Sequence, residues 1–161
     1  MKQLLTALLA LTLFVSCSKD KDEVKDYTAQ NEQEIKDYLA KNNLTATRTD
    51  SGLYYIINEP GEGEKFPDAN ANVTVVYKGY FTNGNVFDES DKDVPKEEDK
   101  KGIAFGLSQV IQGWKEGIKL FKPGGKGVLL VPAHLGYGSR DYNGIPGGSV
   151  LVFDITLKSI N

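Results

Sequence analysis

Residues 73–88 read Val-Thr-Val-Val-Tyr-Lys-Gly-Tyr-Phe-Thr-Asn-Gly-Asn-Val-Phe-Asp, and this stretch decides the fold class. Val73 to Tyr77 is a β-branched and aromatic run, the composition that fits a pleated, half-buried surface. Asn83-Gly84 then stands between Tyr80-Phe81 and Val86-Phe87. Asn-Gly between apolar runs is the strongest short-range hairpin signal, because a two-residue type I′ turn needs φ > 0 at both positions. The stretch therefore predicts two antiparallel strands joined by a tight turn.

Outward from the hairpin the same grammar repeats. Leu53-Tyr54-Tyr55-Ile56-Ile57 is a strand candidate closed by the turn Pro60-Gly61-Glu62-Gly63, and residues 127–131 and 149–157 supply two more. The only helical pattern in this half is residues 109–121. Ile111, Trp114, Ile118 and Phe121 fall on one stripe there, and Pro123-Gly124-Gly125 stops it. The expectation is an α+β domain: an antiparallel sheet with one short helix laid on its face and Trp114 near the middle of the molecule.

The chain has 161 residues, 17 Gly and 6 Pro, yet no Gly precedes Gly52 and no Pro precedes Pro60. The first part is thus suited to helix or to a solvated tether. Between Asn31 and Lys41, the residues Ile35, Tyr38 and Leu39 share one helical face. Asn31 with Glu34 resembles an N-terminal capping arrangement. A helix this short is marginal alone. It is expected to dock on the domain or to pair two copies of the chain into a homodimer.

Lys2 followed by the apolar run Leu4 to Val15 is too short for a bilayer span, which needs ~20 residues. It reads as a secretory signal peptide. The run ends at Ser16-Cys17, before the charged segment Ser18-Lys19-Asp20-Lys21-Asp22-Glu23. This resembles a bacterial lipobox, with Cys17, the single Cys, as the lipidated anchor. The expected organisation is a signal peptide over 1–16, lipidated Cys and acidic tether over 17–29, short helix and linker over 30–50, and a globular domain over 51–161. The expected place is the cell envelope, anchored by lipid to the outer membrane and facing either the periplasm or the cell surface.

Composition excludes several chemistries. One Cys and one His cannot supply the usual three or four protein ligands of a zinc or iron-sulfur site, and one Cys makes no internal disulfide. No metal and no cofactor are expected. A formal net charge of -3 argues against a nucleic-acid partner. Gly124-Gly125-Lys126-Gly127 fails the phosphate-loop pattern at both ends, at Leu120 and at Gly127. His134, Ser139 and Asp141 are the residue types of a triad, but residue types alone make none. Residues 89–101, rich in both charges, read as a solvated loop.

Three stretches carry a resemblance. They are Val76-Tyr77-Lys78-Gly79 through Phe87-Asp88, then Gln109-Val110-Ile111-Gln112-Gly113-Trp114, then Pro132-Ala133-His134-Leu135-Gly136-Tyr137-Gly138 through Ile145-Pro146 to Leu151-Val152-Phe153-Asp154. In sequence, order and spacing residues 51–161 resemble the FKBP-type peptidyl-prolyl cis-trans isomerases. With the lipobox, the whole is similar to envelope lipoproteins of this family in Bacteroidetes-type bacteria. The resemblance implies an antiparallel sheet of five or six strands wrapped around one short helix, with a shallow apolar pocket between them.

Residue by residue, the resemblance puts Trp114 at the pocket floor and Tyr77, Phe87, Val110, Ile111 and Phe153 in its walls. Asp88 and Tyr137 supply polar edges, and Ile145 flanks the entrance. The Ile111 N–H bonds a carbonyl of the bound peptide. The implied activity is rotation of X–Pro bonds in proline-containing peptides or unfolded segments, by a non-covalent mechanism. The alternative is a chaperone or surface interaction module of the same fold with little turnover. Some features depart from the family pattern: a longer loop after Asp88, Lys101 where an aromatic is often found, Gln109 for Glu, and a shorter loop after Tyr137. They frame the pocket mouth, so substrate preference and affinity for macrolides such as FK506 stay open.

Overall fold

The computed structural model describes residues 25–161. The expected signal peptide over 1–16, the anchor Cys17 and most of the tether lie outside the described residues.

Seven strands form one antiparallel sheet: β1 (Thr47–Arg48), β2 (Tyr54–Glu59), β3 (Asn72–Phe81), β4 (Val86–Glu89), β5 (Ile103–Gly106), β6 (Lys126–Val131) and β7 (Leu151–Ile160). Their order is β1-β2-β6-β7-β3-β4, and β5 also pairs with β3. The ten-residue strands β3 and β7 run side by side at the centre. The far side of β3 is shared: β4 pairs with residues 78–80 and β5 with residues 72–75. Two elements were absent from the expected set. β5 is one, and β1 is the other, so the sheet already begins at Thr47.

Both faces of the sheet are apolar, and alternation sorts the residues between them. Leu129, Val131, Leu151, Phe153, Ile155 and Leu157 face the main core with Trp114, Ile118 and Phe121. Leu130 and Val152 face the opposite side. The hairpin forms where the sequence placed it, but its turn differs. Asn83 keeps a negative φ, while Gly84 sits at φ 90°. The Gly84 N–H donates to the Phe81 carbonyl, and the Phe81 N–H to the Asn85 carbonyl. This is a three-residue loop with glycine in the left-handed position, which needs φ > 0 only once.

The helical pattern over 109–121 is not one helix. It resolves into a 3-10 turn (Leu107–Gln109), two extended residues, a six-residue helix α2 (Gln112–Gly117) and a second 3-10 turn (Ile118–Leu120). Val110 and the N-cap Ile111 are extended. β-Branched Val110 and Ile111 and the glycines 113 and 117 all weaken helix propensity. Those glycines have a packing reason. A Cβ at Gly113 would stand 2.6 Å from Val131 Cγ1, and one at Gly117 2.5 Å from Leu129 Cδ1. The helix rests directly on β6.

The N-terminal helix α1 spans Thr28–Lys41. It packs on the opposite face of the sheet, where Ile35 and Leu39 join Tyr54, Leu130, Val150 and Val152, with Tyr38 beside them. Burying two such side chains contributes about 1.5–3 kcal/mol each, which a lone helix of this length needs. The stripe that was a candidate for pairing two copies is therefore occupied by the chain's own sheet. Asn31 is also not a cap. The helix starts three residues earlier, with Tyr27 at the N-cap, and Asn31 is fully buried inside it.

Polar contacts hold the helix as well. Glu32 accepts hydrogen bonds from Tyr54 Oη at 2.7 Å and Arg48 Nε at 3.0 Å. Glu34 accepts one from Thr82 Oγ1 at 2.6 Å. The Tyr54 hydrogen bond first, then Lys36 and Arg48, hold the Glu32 carboxyl down to about 2.

Candidate active site

A cavity of about 350 Å³ opens between α2 and the concave face of the sheet. Its floor is the Trp114 indole, which α2 pushes into the centre because Gly113 and Gly117 let the helix lie low on β6. Three rings stand around it. Tyr77 from β3 lies 5.0 Å away edge-on, Phe153 from β7 5.1 Å away edge-on, and Phe105 from β5 5.4 Å away and tilted. Phe87 from β4 meets Phe153 edge-on at 5.6 Å. Edge-to-face packing suits the ring quadrupoles and fixes a rigid, apolar box. Val110 and Ile111 close one side from the extended link ahead of α2.

The polar edge is small. Tyr77 Oη donates to Asp88 Oδ2 at 2.6 Å. Asp88 Oδ1 accepts the Glu89 N–H and lies 3.5 Å from Lys92 Nζ. That ion pair is exposed on both sides and contributes little. Burial, then the Asp88 hydrogen bond, push the Tyr77 phenol far above its ordinary value. Burial, then Tyr142 and Asp88, raise Tyr137. Both phenols stay neutral and remain O–H donors at neutral pH. Among the described residues two further donors show no acceptor: the buried Trp114 Nε1 and the Ile111 N–H, which bonds no other backbone group there.

Eight of the nine residues expected at the pocket line this cavity: Tyr77, Phe87, Asp88, Val110, Ile111, Trp114, Tyr137 and Phe153. The ninth does not. Ile145, expected at the entrance, is 7 % exposed and belongs to the main core. It pairs by backbone with Tyr142 in a tight turn, the Tyr142 N–H donating to the Ile145 carbonyl at 2.9 Å. The turn sends Tyr142 to the mouth instead, stacked on Tyr137 at 4.8 Å and 11°. Lys101 is not at the cavity either. Ile103 and Phe105, on one side of β5, line it in its place. Those two, with Tyr142, are the lining residues that sequence reasoning missed, while Gln109, expected at the mouth, does line it. The signal for Phe105 was there, in an apolar Ile-Ala-Phe run between two glycines, but a run that short is easily left as loop.

The charged loop over 89–101 closes at its base. Asp91 accepts the backbone N–H of Lys101 at 3.1 Å and of Gly102 at 2.9 Å. Buried Ser90 accepts the Tyr77 N–H through its Oγ. His134 makes no triad: its Nε2 lies 2.8 Å from the Ser51 carbonyl, and Asp141 accepts the Gly147 N–H. Among the described residues no three His, Cys, Asp or Glu side chains could hold a metal ion, and no helix is long and apolar enough to cross a membrane.

A model of the FKBP-type peptidyl-prolyl cis-trans isomerase family matches residues 63–158. This chain belongs to that family. An FKBP-type peptidyl-prolyl cis-trans isomerase FkpA of Buchnera aphidicola subsp. Schizaphis graminum is 48% identical over 114 residues, covering 71% of this chain and 43% of the relative. The chain thus spans less than half the length of that curated FKBP-type relative. The crystal structure of FkpA from Escherichia coli superposes with a TM-score of 0.70 at 37% identity, covering 83% of this chain and 61% of that one. A peptidyl-prolyl cis-trans isomerase from Pseudomonas syringae pv. tomato gives 0.67 at 26% identity, covering 86% and 99%. The antiparallel FKBP-type sheet with its short helix is therefore the fold of this chain, with α1 added on the outer face.

Proposed function

We propose that the chain is a peptidyl-prolyl cis-trans isomerase acting on proline-containing segments of unfolded or exported proteins, and that it works without a nucleophile, metal or cofactor. The observation that carries the reading is the aromatic box over Trp114 with a single Tyr77–Asp88 polar edge. Rotating an X–Pro bond breaks amide conjugation, with an uncatalysed barrier of about 20 kcal/mol and times of tens to hundreds of seconds. The twisted amide loses charge separation. A dry, apolar box favours it over the planar ground state, which is differential binding. Trp114 receives the proline ring, with Phe153, Phe87 and Tyr77 beside it. The Ile111 N–H holds a peptide carbonyl, and the Tyr137 hydroxyl holds the twisted chain at the mouth. Lowering the barrier by ~5–7 kcal/mol gives roughly 10⁴–10⁵-fold acceleration, within reach of shape and desolvation.

The location proposed is the cell envelope, with Cys17 as a lipid anchor at the outer membrane. Lys2, the short apolar run and Ser16-Cys17 support it. The mouth departs from the family pattern by the longer loop after Asp88 and by Gln109, so affinity for FK506-like macrolides is proposed to be weak. A protease-coupled assay on an X–Pro peptide tests the activity. Turnover above the uncatalysed rate supports it. A folded sample that binds unfolded protein without turnover supports a chaperone instead.

A further inference from the structure

The loop that carries Tyr137 and Tyr142 begins at Ala133 and ends at Gly148. Both ends meet one side chain on the other side of the molecule. Asn31 Oδ1 accepts the Ala133 N–H at 2.8 Å, and Asn31 Nδ2 donates to the Gly148 carbonyl at 2.8 Å. Two backbone bonds complete a ring: the Gly138 N–H donates to the Ala133 carbonyl at 2.8 Å, and the Gly148 N–H to the Gly138 carbonyl at 2.9 Å. Tyr137 sits on this ring between Gly136 and Gly138. The Asn31 amide is fully buried, among the very few buried polar side chains of the described residues. The Tyr27 ring lies against Gly148, where any Cβ would overlap it.

An amide has one acceptor oxygen and an NH₂ donor on the same planar group, which is what an exposed N–H and an exposed carbonyl a few ångströms apart require. Burying an amide is costly unless both ends are bonded, and a helix needs no asparagine in its interior. Glu32 and Glu34 already tie α1 to the sheet. Asn31 adds nothing to that docking that an apolar residue could not, except the closure of this loop.

We infer that Asn31 is a positioning residue for the isomerase site: α1 reaches through the buried Asn31 amide to fix both ends of the Ala133–Gly148 loop and so sets where Tyr137 and Tyr142 stand at the cavity mouth. The inference rests on the isomerase reading above. It makes α1 a working part of the catalytic unit, with the loop's order dependent on its docking.

Two substitutions in the full chain test it. Asn31→Ala leaves the Ala133 N–H and the Gly148 carbonyl unpaired. It should lower kcat/KM roughly tenfold, within the range that ~1 Å misplacement of site groups produces, and should speed amide exchange at Gly138 and Gly148. Asn31→Asp keeps the acceptor but, when ionised, has no donor for Gly148. Burial raises a carboxyl pKa, and the protonated acid again carries one donor and one acceptor. Its activity relative to wild type should therefore rise as pH falls from about 8 to about 5. The ionisable neighbours Asp26, Glu32, Glu34 and His134 are common to both proteins, so the ratio isolates the change at residue 31. A merely structural residue would show no such recovery. Wild-type activity and exchange rates in both folded variants would overturn the inference, and so would a flat ratio for Asn31→Asp across that range. If wild type shows no turnover, the isomerase reading fails, and exchange at Gly138 and Gly148 alone decides whether the loop is held by Asn31.

Discussion

Tyr77 and Asp88 sit diagonally across the β3–β4 pair, and the phenol donates to the carboxylate at 2.6 Å. In the ladder Gly79 faces Asp88 and Lys78 faces Glu89, so Tyr77 reaches Asp88 from the neighbouring register position. Such diagonal neighbours lie within reach of an aromatic side chain. The bond turns a half-exposed carboxylate toward the cavity and holds the Tyr77 ring edge-on to Trp114. Tyr77→Phe keeps the ring and loses the bond. It should cost about 1 kcal/mol of stability and lower isomerase activity several-fold, read by thermal melting and the coupled assay. Equal activity with the same loss of stability would make the pair structural only.

Gly79 marks where two phenyl rings meet the backbone. A Cβ there would stand 2.7 Å from Phe87 Cε2 and 2.9 Å from Phe153 Cε1. Gly79→Ala should push both walls of the box, costing ~1–3 kcal/mol as overpacking does, with activity falling further than stability explains. Melting and kcat/KM measured on one preparation separate the two effects. A variant as active as wild type would mean the walls are free to give way.

Acid should loosen α1 before the sheet. The folded Glu32 carboxyl is held down to about 2 by Tyr54, Lys36 and Arg48. A depressed folded pKa stabilises the docked helix above the unfolded value and loses that contribution as pH falls through it. The window runs from about 4.5 down to about 2. Amide exchange along Thr28–Lys41 should rise across it, and Glu32→Gln should remove most of the dependence. An unchanged acid profile in Glu32→Gln would place the linkage elsewhere.

Ile35 is 1 % exposed in the contact between α1 and the sheet. Ile35→Ala should cost ~2–5 kcal/mol and leave the oligomeric mass unchanged. Dissociation of a dimer on Ile35→Ala, seen by sedimentation, would contradict the self-docked helix.

Most of the sheet was legible because β-branched runs and their turns are local. Val73–Tyr77 and the Asn83-Gly84 hairpin needed no tertiary knowledge. The misreadings share one cause: local patterns that tertiary contacts override. Asn31 has the chemistry of a cap, and only the distant Ala133 and Gly148 turn it into a clamp. The Ile111–Trp114–Ile118–Phe121 stripe looks like one helix, but Gly113 and Gly117 rest on β6 and Val110–Ile111 extend to line the cavity. Ile145 went to the core and Tyr142 to the mouth because the four-residue turn from Tyr142 to Ile145 decides which side chain points inward. The eight cavity residues came from the family resemblance that the three motifs carry together. Singly, each aromatic would have passed as plain core.

On this reading the cavity rotates X–Pro bonds by shape and desolvation alone. NMR exchange spectroscopy on a Leu-Pro peptide measures that rotation directly, with no coupling enzyme. With catalytic amounts of the full chain, cis–trans exchange should run far above the uncatalysed rate, with or without a chelator, and should fall at least about tenfold in a folded Trp114→Leu variant. Exchange at the uncatalysed rate in the presence of folded wild-type protein, or equal rates with Trp114 and Leu at that position, would contradict it.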